Sequence, residues 1–155
     1  MTDSVVTELD AGTRRIARQV VVDATPHELF EVLADPRRHG ELDGSGTLRD
    51  TVSGPERLGQ GTAFAVNMRQ FGVPYRITST VVAFEEGRAI EWRHPFGHTW
   101  RWDLAETGSG GTTVTETFDY SGTKHAKVLE MMGIPGKNAT SITRTLEQLP
   151  QRFAG

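Results

Sequence analysis

An α+β fold is predicted for this chain: a curved antiparallel sheet of about six or seven strands wrapped around a C-terminal helix. Three observations predict it. A capped helix and a short second helical turn follow the first β-branched run, between Val20 and Asp43. Alternating segments joined by Gly- and Pro-containing turns then fill the middle of the chain from Thr62 to Tyr120. Last, the period changes: Ala139, Ile142, Leu146, Leu149 and Phe153 recur at spacings of three and four, which lines one face of a helix.

Residues 1–12 are polar and end in Asp10-Ala11-Gly12, which predicts a frayed start. Ile16, Arg18, Val20 and Val22 mark a first strand over Thr13 to Val22. Thr25-Pro26-His27-Glu28 has the form of a capping box, in which the Thr25 hydroxyl takes a free N–H and Glu28 reaches back. Leu29, Phe30 and Leu33 give the helix one apolar face, and Asp35-Pro36 ends it and starts another turn. A short strand is compatible with Gly46 to Ser53. Further strands are expected at Thr62 to Arg69, Tyr75 to Phe84, Arg88 to His94, His98 to Ala105 and Thr112 to Tyr120. The turns between them are Phe71-Gly72-Val73-Pro74, Glu86-Gly87, Pro95-Phe96-Gly97 and Gly108 to Gly111. His125 to Met132 is a short helix candidate, and a longer helix begins near Lys137 and ends or kinks near Leu149, because Pro150 follows.

At 155 residues the chain fits one domain, 1–155, with no repeats and no linker. Hydrophobic content of 36% and charged content of 24% describe an ordinary soluble protein. A net charge of −3 argues against a nucleic-acid or anionic-membrane partner. Without cysteine, disulfides, thiolate metal sites and cysteine nucleophiles are excluded. No apolar run reaches the ~18 residues of a membrane span, and the start lacks a secretory pattern, so a cytoplasmic protein is expected.

Strand parity sorts the side chains of the meander. One face carries Phe64, Val66 and Met68, then Tyr75 and Ile77, then Trp92 and His94. It continues through His98, Trp100 and Trp102 to Glu116, Phe118 and Tyr120. Covered by Ile142 and Leu146 of the last helix, this face either lines a cavity of ~300–1,000 Å³ or packs as plain core. Trp92 should pair across its hairpin with Trp100, and His94 with His98. A metal shared by His94, His98 and Glu116 is disfavoured, since Glu116 lies four residues, or ~13 Å, from the histidine level. No metal or cofactor is expected. Glu116, among Trp102, Val114 and Phe118, must pair with a cation, accept hydrogen bonds or keep its proton. It is the best candidate for a proton carrier or ligand anchor, with a structural salt bridge as the alternative. His39, Asp43 and Ser45 resemble a catalytic set by composition only.

The segments VVDATPHELFEVLADPRRHGELDG and WRWDLAETGSGGTTVTETFDY, with the final helical face, resemble the START-related (SRPBCC) superfamily, in particular its bacterial polyketide cyclase/dehydrase-like branch. The resemblance implies a helix-grip fold and the binding of a small hydrophobic molecule, lipid- or polyketide-like, between sheet and helix. It also leaves open a polyketide cyclase or dehydratase using Glu116, or a module that binds a protein partner as chaperone-type proteins do. Members usually carry an aromatic residue shortly after the Asp-Pro turn, where this chain reads Arg38-His39-Gly40-Glu41-Leu42. The oligomeric state is not indicated.

Overall fold

The computed structural model describes residues 5–41, 48–70 and 72–153. The alternating segments form strands β1 (Thr7–Leu9), β2 (Arg15–Val22), β3 (Leu48–Ser53), β4 (Ala63–Gln70), β5 (Val73–Glu85), β6 (Ala89–Arg93), β7 (Thr99–Glu106) and β8 (Thr112–Asp119). They join one antiparallel sheet in the order β1-β2-β8-β7-β6-β5-β4-β3. The chain therefore runs down a meander from β3 to β8, and β8 returns beside β2 to complete the face. Helix α1 (Pro26–Ala34) and a 3-10 turn (Pro36–Glu41) connect β2 to β3. Helices α2 (Ala126–Met131) and α3 (Ile134–Arg152) follow β8.

Local chemistry accounts for α1. Thr25 accepts a hydrogen bond from the Glu28 backbone N–H, and its hydroxyl donates to the Glu28 carboxylate, each at 3.2 Å. Asp35 then accepts from the Arg37 N–H at 3.0 Å, capping the turn that Pro36 opens. The buried face of α1 is Leu29, Phe30, Val32, Leu33 and Ala34. That of α3 is Ile142, Thr145, Leu146 and Leu149. Both faces press onto the concave side of the sheet, where Val20, Val22, Ile90, Trp102, Val114 and Phe118 are buried.

Four expectations need correction. The start is not wholly frayed, because Thr7–Leu9 pairs with Gln19, Arg18 and Ala17 as an eighth strand. The turn after β4 is shorter than expected, since Gln70 already pairs with Val73, and Val73 and Pro74 belong to β5. Pro74 is tolerated because β6 reaches only to Thr80, so β5 has a neighbour on one side there. Helix α3 starts at Ile134, after Gly133 in a left-handed conformation (φ 72°), which places Pro135 in the first turn where a missing N–H costs nothing. It also continues through Pro150 without ending at Leu149. Burial of Leu146 and Leu149, in the turn just before Pro150, outweighs the intrinsic cost of the proline. The stretch Leu42 to Thr47, with Asp43 and Ser45 of the composition-based set, and the turn residue Phe71 lie outside the described residues. No helix of the described chain is long and apolar enough to cross a membrane.

Candidate ligand-binding site

Register assembles the concave face in rows. One row crosses five strands: Val81 opposite Trp92, Trp92 opposite Trp100, Trp100 opposite Phe118, and Phe118 opposite Ile16. The next row runs Ile90, Trp102, Glu116 and Arg18. Beyond the first row, at the β6–β7 hairpin end, His94 and His98 close the loop with a backbone hydrogen bond of 2.8 Å. Each residue of these rows shares one side of the sheet, because side chains alternate.

The hairpin end is a nest of rings. His94 and His98 stack with centroids 4.2 Å apart. His98 meets Phe118 edge-on at 5.1 Å, Phe118 lies 4.9 Å from Trp100, and Phe118 stacks on Tyr120 at 5.4 Å. The Tyr120 hydroxyl donates to Glu130 of α2 at 3.0 Å, and burial together with this carboxylate raises its pKa. His98 is 6% exposed, and its Nδ1 makes no hydrogen bond among the described residues. Burial, and second the neighbouring His94, push the His98 pKa down to about 3, while burial pushes His94 down to about 4. Both rings are therefore neutral at pH 7. The His94 Nδ1 accepts from the Phe96 backbone N–H at 3.0 Å, which leaves its hydrogen on Nε2.

A second aromatic group sits at the α1 end of the turn. His39 stacks on Trp92 at 4.9 Å and meets Phe64 edge-on at 5.3 Å. Its Nε2–H donates to the Leu33 carbonyl at 2.7 Å, and burial lowers its pKa against the pull of that bond. His39 thus has a packing role after the Asp-Pro turn, walling in Trp92.

The remaining predicted residues divide. Phe64, Val66, Trp102, Phe118 and Tyr120 are buried, as are Ile142 and Leu146 opposite them. Ile77, Trp92, His94 and Trp100 are half-buried, whereas Tyr75 is exposed on the part of β5 that projects beyond β6. Met68 pairs with Tyr75 on the same projection. Glu116 is 7% exposed, with Trp102 opposite on β7 and Arg18 opposite on β2. The sequence reading missed Arg18 as a neighbour of Glu116, although equal parity on β2 and β8 was available to find it.

A void of about 10 Å³, lined by Leu29, Leu33, Trp102, Leu104, Val114 and Leu149, is bounded by α1, the sheet and the end of α3. That is roughly the room of one water, and its lining is apolar. Of the predicted set only Trp102 touches it. Phe118, Ile142 and Leu146 are fully buried and pack as core. The half-buried rings, Trp92 and Trp100, lie at the periphery of this packed face.

Comparison with known proteins agrees with this architecture. A family model described as polyketide cyclase/dehydrase and lipid transport matches residues 13–154. The protein Rv0088 of Mycobacterium tuberculosis is 46% identical over 153 residues, covering 96% of this chain and 68% of that protein. A solved structure from Rhodobacter sphaeroides superposes with a TM-score of 0.74 at 15% identity, covering 96% and 97% of the two chains. The ZhuI aromatase/cyclase from Streptomyces sp. R1128 superposes with a TM-score of 0.64 at 15% identity, covering 90% and 94%. At such identities the solved structures speak for the helix-grip fold alone. The family as described supports a ligand-binding or cyclase role in general terms. By sequence model and by fold, this chain belongs to the polyketide cyclase/dehydrase-like branch of the START-related (SRPBCC) superfamily.

Proposed function

We propose that the chain works as a single helix-grip unit that binds an uncharged aromatic molecule at the hairpin end of its concave face. The observation that carries this reading is His98. A buried polar atom without a partner costs about 1–3 kcal/mol, and such atoms are rare in native structures unless something else supplies the bond. A hydroxyl or carbonyl on the ligand would supply it at Nδ1. Trp100 and Phe118 around it offer ring faces and edges to a planar molecule, and the neutral imidazoles carry no charge to attract or repel an ion. Because His98 is buried, binding opens space beside it, with half-buried Trp100 turning aside. Affinity is lowered by the fraction of time the open state is absent.

A cyclase reading with Glu116 as proton carrier has less support. Glu116 lies in register between Trp102 and Arg18, a setting that an inward carboxylate also takes for structural reasons. Titration of the protein with hydroxylated naphthalenes and anthraquinones, followed by tryptophan fluorescence, tests binding. A saturable change at one site per chain is expected, and it should weaken about tenfold in His98→Ala, as for loss of a hydrogen bond worth ~1.4 kcal/mol. No saturable change with any of them would overturn the reading.

A further inference from the structure

The segment beyond β8 carries an exposed apolar face that the fold does not use. In α2, Ala126 and Leu129 point into the protein. The opposite side presents Val128, Met131 and Met132, all exposed, with Met131 at 87%. Positions three and four apart stand together on a helix, so Val128, Met131 and Met132 form one patch. Phe96, also exposed, extends it from the β6–β7 hairpin: its ring lies 5.7 Å from His125, and its carbonyl accepts a hydrogen bond from Thr123.

Charge gives this patch a direction. Lys124 and Lys127 are exposed beside it, and Lys137 is exposed in the first turn of α3. The acidic residue of the segment, Glu130, is occupied by Arg14 at 3.2 Å and by Tyr120 at 3.0 Å. A chain of net charge −3 thus concentrates positive charge around its protruding methionines. A second copy is a poor occupant, because a two-fold interface would set Lys124 and Lys127 against themselves. A large protein interface calls for ~20–30 residues a side, far more than this patch supplies. Apolar side chains ringed by lysines are instead the composition of a segment that lies in a lipid headgroup layer.

We infer that α2 and Phe96 dock this protein onto an anionic lipid surface. The inference is independent of the ligand reading, although it would place the ring nest of His98 and Tyr120 next to the bilayer. Co-sedimentation with phosphatidylcholine vesicles containing about 30 mol % phosphatidylserine tests it, against vesicles of phosphatidylcholine alone. Wild-type protein should sediment with the anionic vesicles only. Lys124→Glu/Lys127→Glu should weaken this at least about 25-fold, taking about fivefold per lysine removed. Met131→Ser/Met132→Ser should abolish it while the circular dichroism spectrum and Tm stay unchanged, since both side chains are exposed. No sedimentation with anionic vesicles would overturn the proposal. So would equal binding to neutral vesicles, or a dimer in sedimentation equilibrium that the methionine substitutions dissolve.

Discussion

Acid should unfold this protein through its histidines. His98 has a folded pKa of about 3 and His94 of about 4, against 6.5 in the unfolded chain. Below pH 6.5 the unfolded state therefore binds more protons than the folded one, and stability falls with pH; above 6.5 both states are neutral and the stabilisation is complete. Between pH 7 and pH 5 a single imidazole with such a shift loses about 2 kcal/mol, roughly an eighth to two-fifths of a typical domain's stability. His39, shifted in the same direction, adds to the loss. Urea denaturation followed by tryptophan fluorescence at pH 7 and pH 5 measures it. His98→Gln, which keeps a polar side chain that does not titrate, should lose about 2 kcal/mol less than wild type over this interval. Carboxylates that titrate near pH 5 cancel in that difference. Equal losses in the two proteins would refute the burial of a neutral His98 on which this reasoning rests.

Other consequences follow from packing. Leu146→Ala and Ile142→Ala, at 0% and 1% exposure, should each cost ~2–5 kcal/mol in the same assay, while exposed Glu147→Ala stays within ~0.5 kcal/mol. Gly97→Ala should cost ~1–3 kcal/mol, because φ is +99° there and the new Cβ would lie 3.2 Å from Thr123 Oγ1; wild-type stability would argue against that hairpin geometry. Glu116→Gln should keep stability near wild type, since Gln preserves the shape and one acceptor. A loss of ~3–5 kcal/mol would instead make Glu116 half of a buried charge pair, with Arg18 across the ladder as the first partner to test by double mutation.

How far the sequence carried these conclusions depends on what each conclusion needs. The capping box at Thr25, the registers that set Trp92 against Trp100 and Trp102 against Glu116, and the inward Ile142 and Leu146 are local or parity facts, and period alone reveals them. The β1 strand escaped notice because three residues show too little alternation, and only the neighbouring β2 makes them a strand. The passage of α3 through Pro150 was hidden because tertiary burial overrode a local rule. Cavity volume was not legible for a different reason: parity says which side chains face inward but not how near α3 approaches them. The stacking of His39 on Trp92 was not legible because it joins elements far apart in the chain. The basic, apolar face of α2 was masked by averaging, since a net charge of −3 over the chain says nothing about where the lysines gather.

The most direct test of ligand binding is to watch the imidazole that is proposed to receive it. With histidines labelled by ¹⁵N, the His98 Nδ1 resonance should shift on saturation with a hydroxylated aromatic ligand, as a new hydrogen bond forms there. The His39 resonances, already fixed by the Leu33 carbonyl, should move little. A saturated ligand that leaves His98 unmoved, or that moves His39 instead, would contradict the account.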